Sequence, residues 1–178
     1  TLLVIIVLLN VQNIQAQQQT YKYNSSSAKE GYSIVRQEEQ GLNINFSVKQ
    51  FRTIENAIDG KVMQHLSVSG MFLPNEAGYP DLPGNQRYIA IPQGSKAILK
   101  VISYDTETIK NIDIAPAPVI PLATDDSPLV YAKNNAVYSQ NAFYPESPVI
   151  LSEVTQLRGV DVVSLGITPF QYNPVTKD

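Results

Sequence analysis

The chain has 178 residues, 43% of them hydrophobic, with 12 prolines, 10 tyrosines and no cysteine. A net charge of −3 and the absence of any run of Lys or Arg leave nothing to track phosphates or an anionic surface, which excludes nucleic acid as a partner. Without cysteine there is no disulfide, no thiol nucleophile and no site for a bacterial lipid anchor, so the fold rests on its core alone.

Leu2 to Leu9 is an apolar run too short to span a bilayer, and the polar stretch Asn10 to Gln19 behind it holds a small residue, Ala16. This pattern predicts a signal peptide over 1–16 that lacks its positive n-region, and hence no stable membrane insertion after its cleavage. Residues 17–30, with QQQ and SSS, read as a flexible leader. The remainder, 31–178, is one domain's worth of chain.

Its patterning has period two. In LNINFSVKQF, Leu42, Ile44, Phe46 and Val48 share one face and Asn43, Asn45, Ser47 and Lys49 the other, as a half-buried antiparallel strand requires. GYSIVRQ, VMQHLSVSG, QRYIAIP, KAILKVISY, IKNIDIA, PVILSEVTQL and VDVVSLGI are further strand candidates, bounded by Gly, Pro, Asn or Ser. With no 3.6-residue repeat, the class is all-β: a single-domain antiparallel sandwich or flattened barrel with little helix. Leu99, Val101, Val149, Leu151, Val163 and Leu165 are expected to join Leu42, Ile44, Phe46 and Val48 in the core.

Two stretches break the strand rhythm. FLPNEAGYPDLPGNQ holds Pro74, Gly78, Pro80, Pro83 and Gly84, and describes a shaped loop that stays out of any sheet interior. APAPVIPLATDDSP sets a small apolar insert, Val119 to Ala123, on a proline-stiffened stem and follows it with polar Thr124, Asp125 and Asp126. At the far end, Asn173-Pro174 followed by polar residues reads as a turn that starts a hairpin. Its return strand is expected beyond Asp178, which makes Ile167 to Tyr172 a frayed edge.

Catalytic chemistry is missing from these patterns. The single histidine, His65, falls on the strand parity opposite Leu66 and Val68 and reads as a surface side chain, with no carboxylate beside it in sequence. There is no GxSxG elbow, no metal-ligand spacing and no glycine-rich phosphate loop; the pairs Glu38-Glu39 and Asp125-Asp126 sit in solvated composition. No catalytic residue, cofactor or metal is expected.

Several stretches nevertheless carry a likeness. Gly78-Tyr79-Pro80-Asp81-Leu82-Pro83 leads into a strand, Ile114-Ala115-Pro116 precedes the variable loop, Tyr144-Pro145 follows it, and Gln171 to Lys177 closes the run. In these motifs, over roughly residues 40 to 178, the chain resembles the N-terminal propeptide of the gingipain-type cysteine peptidases, family C25. The resemblance implies a non-catalytic folding aid and intramolecular inhibitor of a cognate cysteine peptidase domain downstream of residue 178. It makes 31–178 a propeptide domain truncated at its C-terminus, exported through the periplasm of a Gram-negative bacterium, Bacteroidetes by kinship, and by the type IX route to the surface or beyond. It also implies that Val119, Ile120, Pro121, Leu122, Ala123, Thr124, Asp125 and Asp126 form the inhibitory loop. In the family a basic side chain after the IAP segment fills the specificity pocket, whereas the matching position here is Leu122; Lys133 is the nearest basic alternative. A secreted β-sandwich adhesin or carbohydrate-binding module, using exposed tyrosines, is the competing reading.

Overall fold

The computed structural model describes residues 17–23, 29–39, 41–72 and 75–178, so the expected signal peptide lies outside the described residues. Valine and isoleucine crowd Val160–Ile167, the strand β9 in chain order, and its neighbours follow from that. Val162, Val163, Leu165 and Ile167 are all buried, and three strands pair with β9. These are β6 (Asn85–Ala90) along one edge and β7 (Val149–Leu151) and β8 (Thr155–Leu157) in succession along the other, all antiparallel.

A second sheet has the order β1-β4-β5, built from Gln18–Lys22, Gln50–Ile58 and Lys61–Ser67. Asp59 (φ 48°) and Gly60 (φ 73°) make the tight β4–β5 turn, the backbone pair that a two-residue hairpin favours. β2 (Gly31–Glu38) and β3 (Gly41–Ser47) form a separate antiparallel ribbon with a register shift between Ile34 and Arg36. One helical turn, α1 (Asn135–Tyr138), is capped by the Asn134 side chain, which accepts from the Ala136 N–H. The architecture is all-β and antiparallel, as the period-two pattern requires.

Aromatic contacts join the sheets. Phe51 on β4 stacks on Tyr21 of β1 at 4.8 Å and meets Phe170 edge-on at 5.1 Å; Tyr32 of β2 lies under Arg87 of β6 and donates to the Asn85 carbonyl. Tyr21 also explains why Gln18–Lys22 leaves the expected flexible leader: its ring covers a core phenylalanine, and five ladder positions follow. Leu82, Ile114 and Tyr172 form a further buried cluster with Leu66, Ile112, Tyr138, Tyr144 and Phe170 packed on it.

Several expectations are corrected. Residues 96–104 form no strand among the described ladders, and Leu99 and Val101 are exposed at 38% and 40%: apolar alternation finds no partner there to bond its backbone. Residues 109–115 pair with β5 only at an isolated bridge, Gln64 to Ile114, and Pro116, which has no N–H, stops that pairing from growing into a ladder. LNINFSVKQF and PVILSEVTQL are each two strands, and Leu42, Ile44, Phe46 and Val48 alternate correctly but are only half-buried. The proline loop stays out of the sheets, as expected, yet its side chains enter the core: Pro80 and Leu82 are among the most buried.

The end of the chain departs from a frayed edge as well. Ile167, Tyr172 and Asn173 are buried, and Tyr172 exchanges two backbone hydrogen bonds with Tyr144. The Asn173 side chain accepts from Val175 and Thr176 N–H, folding Asn173–Asp178 into a turn on its own backbone. Leu82→Ala is expected to cost about 2–5 kcal/mol, whereas Leu99→Ala stays within about 0.5 kcal/mol. Denaturant midpoints at equal m-values check both.

Candidate functional site

The stretch that the sequence marks as a stiff stem, Asp113 to Ala117, is hydrogen-bonded along both edges. On one side Gln64 N–H donates to the Asp113 carbonyl (2.8 Å), Ala115 N–H to the Gln64 carbonyl (2.9 Å), and Asp113 N–H to Gln64 Oε1 (2.8 Å). On the other, Asp81 N–H donates to Ala115 O (2.9 Å), Ala117 N–H to Tyr79 O (2.7 Å) and Gly78 N–H to Ala117 O (2.9 Å). Ile114, Ala115, Pro116 and Ala117 are buried in this slot. α1 adds a clasp: the Tyr138 hydroxyl donates to the Ile114 carbonyl at 3.0 Å, and burial, assisted by Tyr172, Asp113 and Asp81, pushes its pKa well above that of a free phenol.

Gly78 joins the two limbs of the loop that grows from this stem. Its N–H bonds to Ala117 on the outgoing limb, and its carbonyl accepts from Asn134 on the returning limb (2.9 Å). Its φ of 86° and its surroundings both demand glycine, since a Cβ would lie 2.9 Å from the Ala132 carbonyl oxygen and 3.2 Å from Asn134 N.

Above Gly78, Val119 N–H donates to the Val130 carbonyl (2.9 Å) and closes the base of the loop. All eight sequence-predicted residues lie in this one excursion. Pro121 is half-buried, while Val119, Ile120, Leu122, Ala123, Thr124, Asp125 and Asp126 are exposed, Leu122 at 80%. Asp125 N–H donates to the Leu122 carbonyl (2.8 Å), making a turn at the tip. Hydrogen bonds from the Ser127 hydroxyl and N–H hold the Asp125 carboxyl below the usual carboxylate range and fold it back along the loop.

At the foot of the stem, Asp113 receives Lys177 Nζ at 2.9 Å and Lys133 Nζ at 3.4 Å, with the Tyr172 hydroxyl at 3.5 Å. Partial burial alone would raise the Asp113 carboxyl, but the Lys177 hydrogen bond and the Lys133 charge outweigh it and leave the pKa lowered. Burial beside Asp113 pushes the Tyr172 phenol up to about 12. Lys133 also lies over the Tyr138 ring at 4.7 Å. The nearest basic residue to the loop is therefore engaged at its base, away from the tip.

His65 is not the surface side chain its parity suggests. Its Nδ1 lies 3.7 Å from Asp81 Oδ2, its ring meets Tyr131 edge-on, and its buried Nε2 has no hydrogen-bond partner among the described residues. The carboxylate beside it comes from the proline loop, distant in sequence. Among the described residues no group of three or more His, Cys, Asp or Glu side chains is placed to hold a metal. Sequence reasoning missed Gly78, Gln64, Asp113 and Lys177 as the residues that position the loop. Gly78 had a signal, a glycine inside a run of φ-fixing prolines; the others act through contacts far apart along the chain.

A protein-family model, Propeptide_C25, matches residues 17–178. Gingipain R1 of Porphyromonas gingivalis is 35% identical over 106 residues, 58% of this chain and 10% of that protein. Lys-gingipain HG66 of the same species is 25% identical over 138 residues, 74% of this chain and 8% of its own length. The chain thus spans a tenth or less of these two relatives. Among solved structures, a complex of Porphyromonas gingivalis RgpB pro- and mature domains matches with a TM-score of 0.75 at 25% identity, over 82% of this chain and 77% of that one. A structure bearing on zymogenic latency of gingipain K from Porphyromonas gingivalis shares the fold, with a TM-score of 0.72 at 21% identity over 90% and 91% of the two chains. These likenesses do not favour an adhesin or carbohydrate-binding module.

Two outcomes test the geometry. Gly78→Ala is expected to destabilise the domain by about 2 kcal/mol, from left-handed strain together with the close backbone approach, read as a fall in melting temperature. Because the Asp113 pKa is lowered on folding, the stability from its two lysines is present at neutral pH and is lost as pH falls below 3.8, the ordinary aspartate value, and through the folded-state pKa. Asp113→Asn should therefore cost no more than about 1 kcal/mol at pH 7, since Lys177 is half exposed and screened, with the gap closing in acid. Parallel melts across pH 2–7 measure it.

Proposed function

The chain belongs to the C25 propeptide family, and from that footing we propose that it is the latency domain of a gingipain-like cysteine peptidase precursor. It acts as a folding aid and intramolecular inhibitor whose loop Val119 to Asp126 enters the cleft of the cognate peptidase domain. The observation that carries this reading is the pairing of an exposed apolar loop with a buried, doubly hydrogen-bonded stem. A peptidase cleft receives extended backbone by edge pairing, and a loop whose base is already fixed loses little conformational entropy on entering it. Attachment to the peptidase through a short linker would supply an effective concentration near millimolar, so modest contacts suffice to keep the precursor silent. Removal of the segment would then release the blocked site. Export across the periplasm to the cell surface or exterior, by the type IX route, goes with this role. Among the described residues no helix is long and apolar enough to cross a membrane.

Purified mature peptidase titrated with the domain tests this directly. Leu122→Asp is expected to weaken inhibition at least tenfold, about 1.4 kcal/mol, because a carboxylate would be desolvated in an apolar pocket. Its melting temperature should stay unchanged, as the side chain is exposed. Lys133→Ala should alter inhibition little. Full inhibition by Leu122→Asp together with loss of it in Lys133→Ala would move the anchor off the loop tip.

A further inference from the structure

The loop also carries information about what its partner cleaves. Resting on the latency reading above, we infer that the cognate specificity pocket is apolar and that the peptidase cuts after aliphatic, leucine-sized side chains instead of after Arg or Lys. Between Asn111 and Ala132 there is no Lys, Arg or His at all. The first cation beyond, Lys133, is bonded to Asp113 and lies over Tyr138 at the foot of the stem, so reaching the tip would mean breaking both contacts. The tip presents Leu122, the most exposed apolar side chain of the loop, immediately before the turn closed by Asp125 N–H. A pocket built to bind a cation holds a buried carboxylate, and a leucine seated there would leave that charge unpaired and desolvated, which opposes binding. A pocket without the charge gains from the same leucine, as burying apolar surface is favourable. The acidic side of the loop, Asp125 and Asp126, fits a cleft whose rim is neutral or basic.

The full precursor, matured to active peptidase, would be assayed on three matched peptides with Leu, Arg or Lys before the scissile bond. The Leu peptide is expected to show a kcat/KM at least tenfold above the other two; equal rates, or preference for Arg or Lys, would overturn the inference. A second arm places Leu122→Arg in the precursor and follows residual activity before processing. An apolar pocket rejects the guanidinium, so activity should rise at least tenfold, with Leu122→Met staying near wild type; tighter latency in Leu122→Arg would reveal an acidic pocket and sink the idea. The two readings fail separately. A precursor equally active before and after removal of the domain, whatever its peptide preference, would count against latency, and with latency the reason for reading specificity from the loop would go. A silent precursor whose mature form prefers Arg or Lys would count against the pocket chemistry alone.

Discussion

One strip of backbone organises the molecule: Asp113 to Ala117, held on one edge by Gln64 and on the other by Tyr79 and Asp81. Burying peptide groups is tolerable only when they are paired, and Pro116 removes one donor from those the strip must satisfy. Ala115 and Ala117, on either side of Pro116, are small enough for β5 and the proline loop to close over both sides. This is why the proline loop, rich in turn residues, sits in the interior: it is the second wall of the slot, and Leu82 fills the space beneath.

The same strip separates rigid from displayed chain. Below Val119 the backbone is bonded on both sides and buried; above it, apolar residues stand in solvent without a local partner. Leaving Ile120 and Leu122 in water is unfavourable for the isolated domain and makes sense for a surface that a partner covers. Asp113, Lys133 and Lys177 add a charged tie at the foot, where the turn Asn173–Asp178 meets the stem through Ile112 N–H and the Lys177 carbonyl. The turn at the end of the chain and the loop are thus mechanically adjacent although far apart in sequence.

What the sequence made legible follows from range. Alternation along Leu42 to Val48 and the apolar run in Val160–Ile167 are local, so strand character and the all-β class could be read directly, as could the proline-flanked insert at Val119 to Asp126. Long-range pairing could not. Residues 96–104 have strand composition but no ladder, and Gln18–Lys22 has leader composition but is ordered by Tyr21 on Phe51. His65 was misplaced for the same reason: parity fixes the face of a strand, not what covers that face, and here Asp81 and Tyr131 do. The stretch Ile167 to Tyr172 read as a frayed edge because its partner, Tyr144, lies far away in sequence.

The cluster of Leu82, Ile114 and Tyr172 draws on three stretches, the last of them near residue 178, and Tyr172 and Lys177 reach Asp113 across separations of 59 and 64 residues. Contacts of that span form slowly, because the intervening chain must first be gathered in. During synthesis, which starts at the N-terminus, the β4–β5 hairpin can therefore close while the stem is still waiting for its final neighbours. The loop acquires its fixed base only once Tyr172 and Lys177 reach Asp113, so a rigidly displayed loop is a late product of folding instead of a local one.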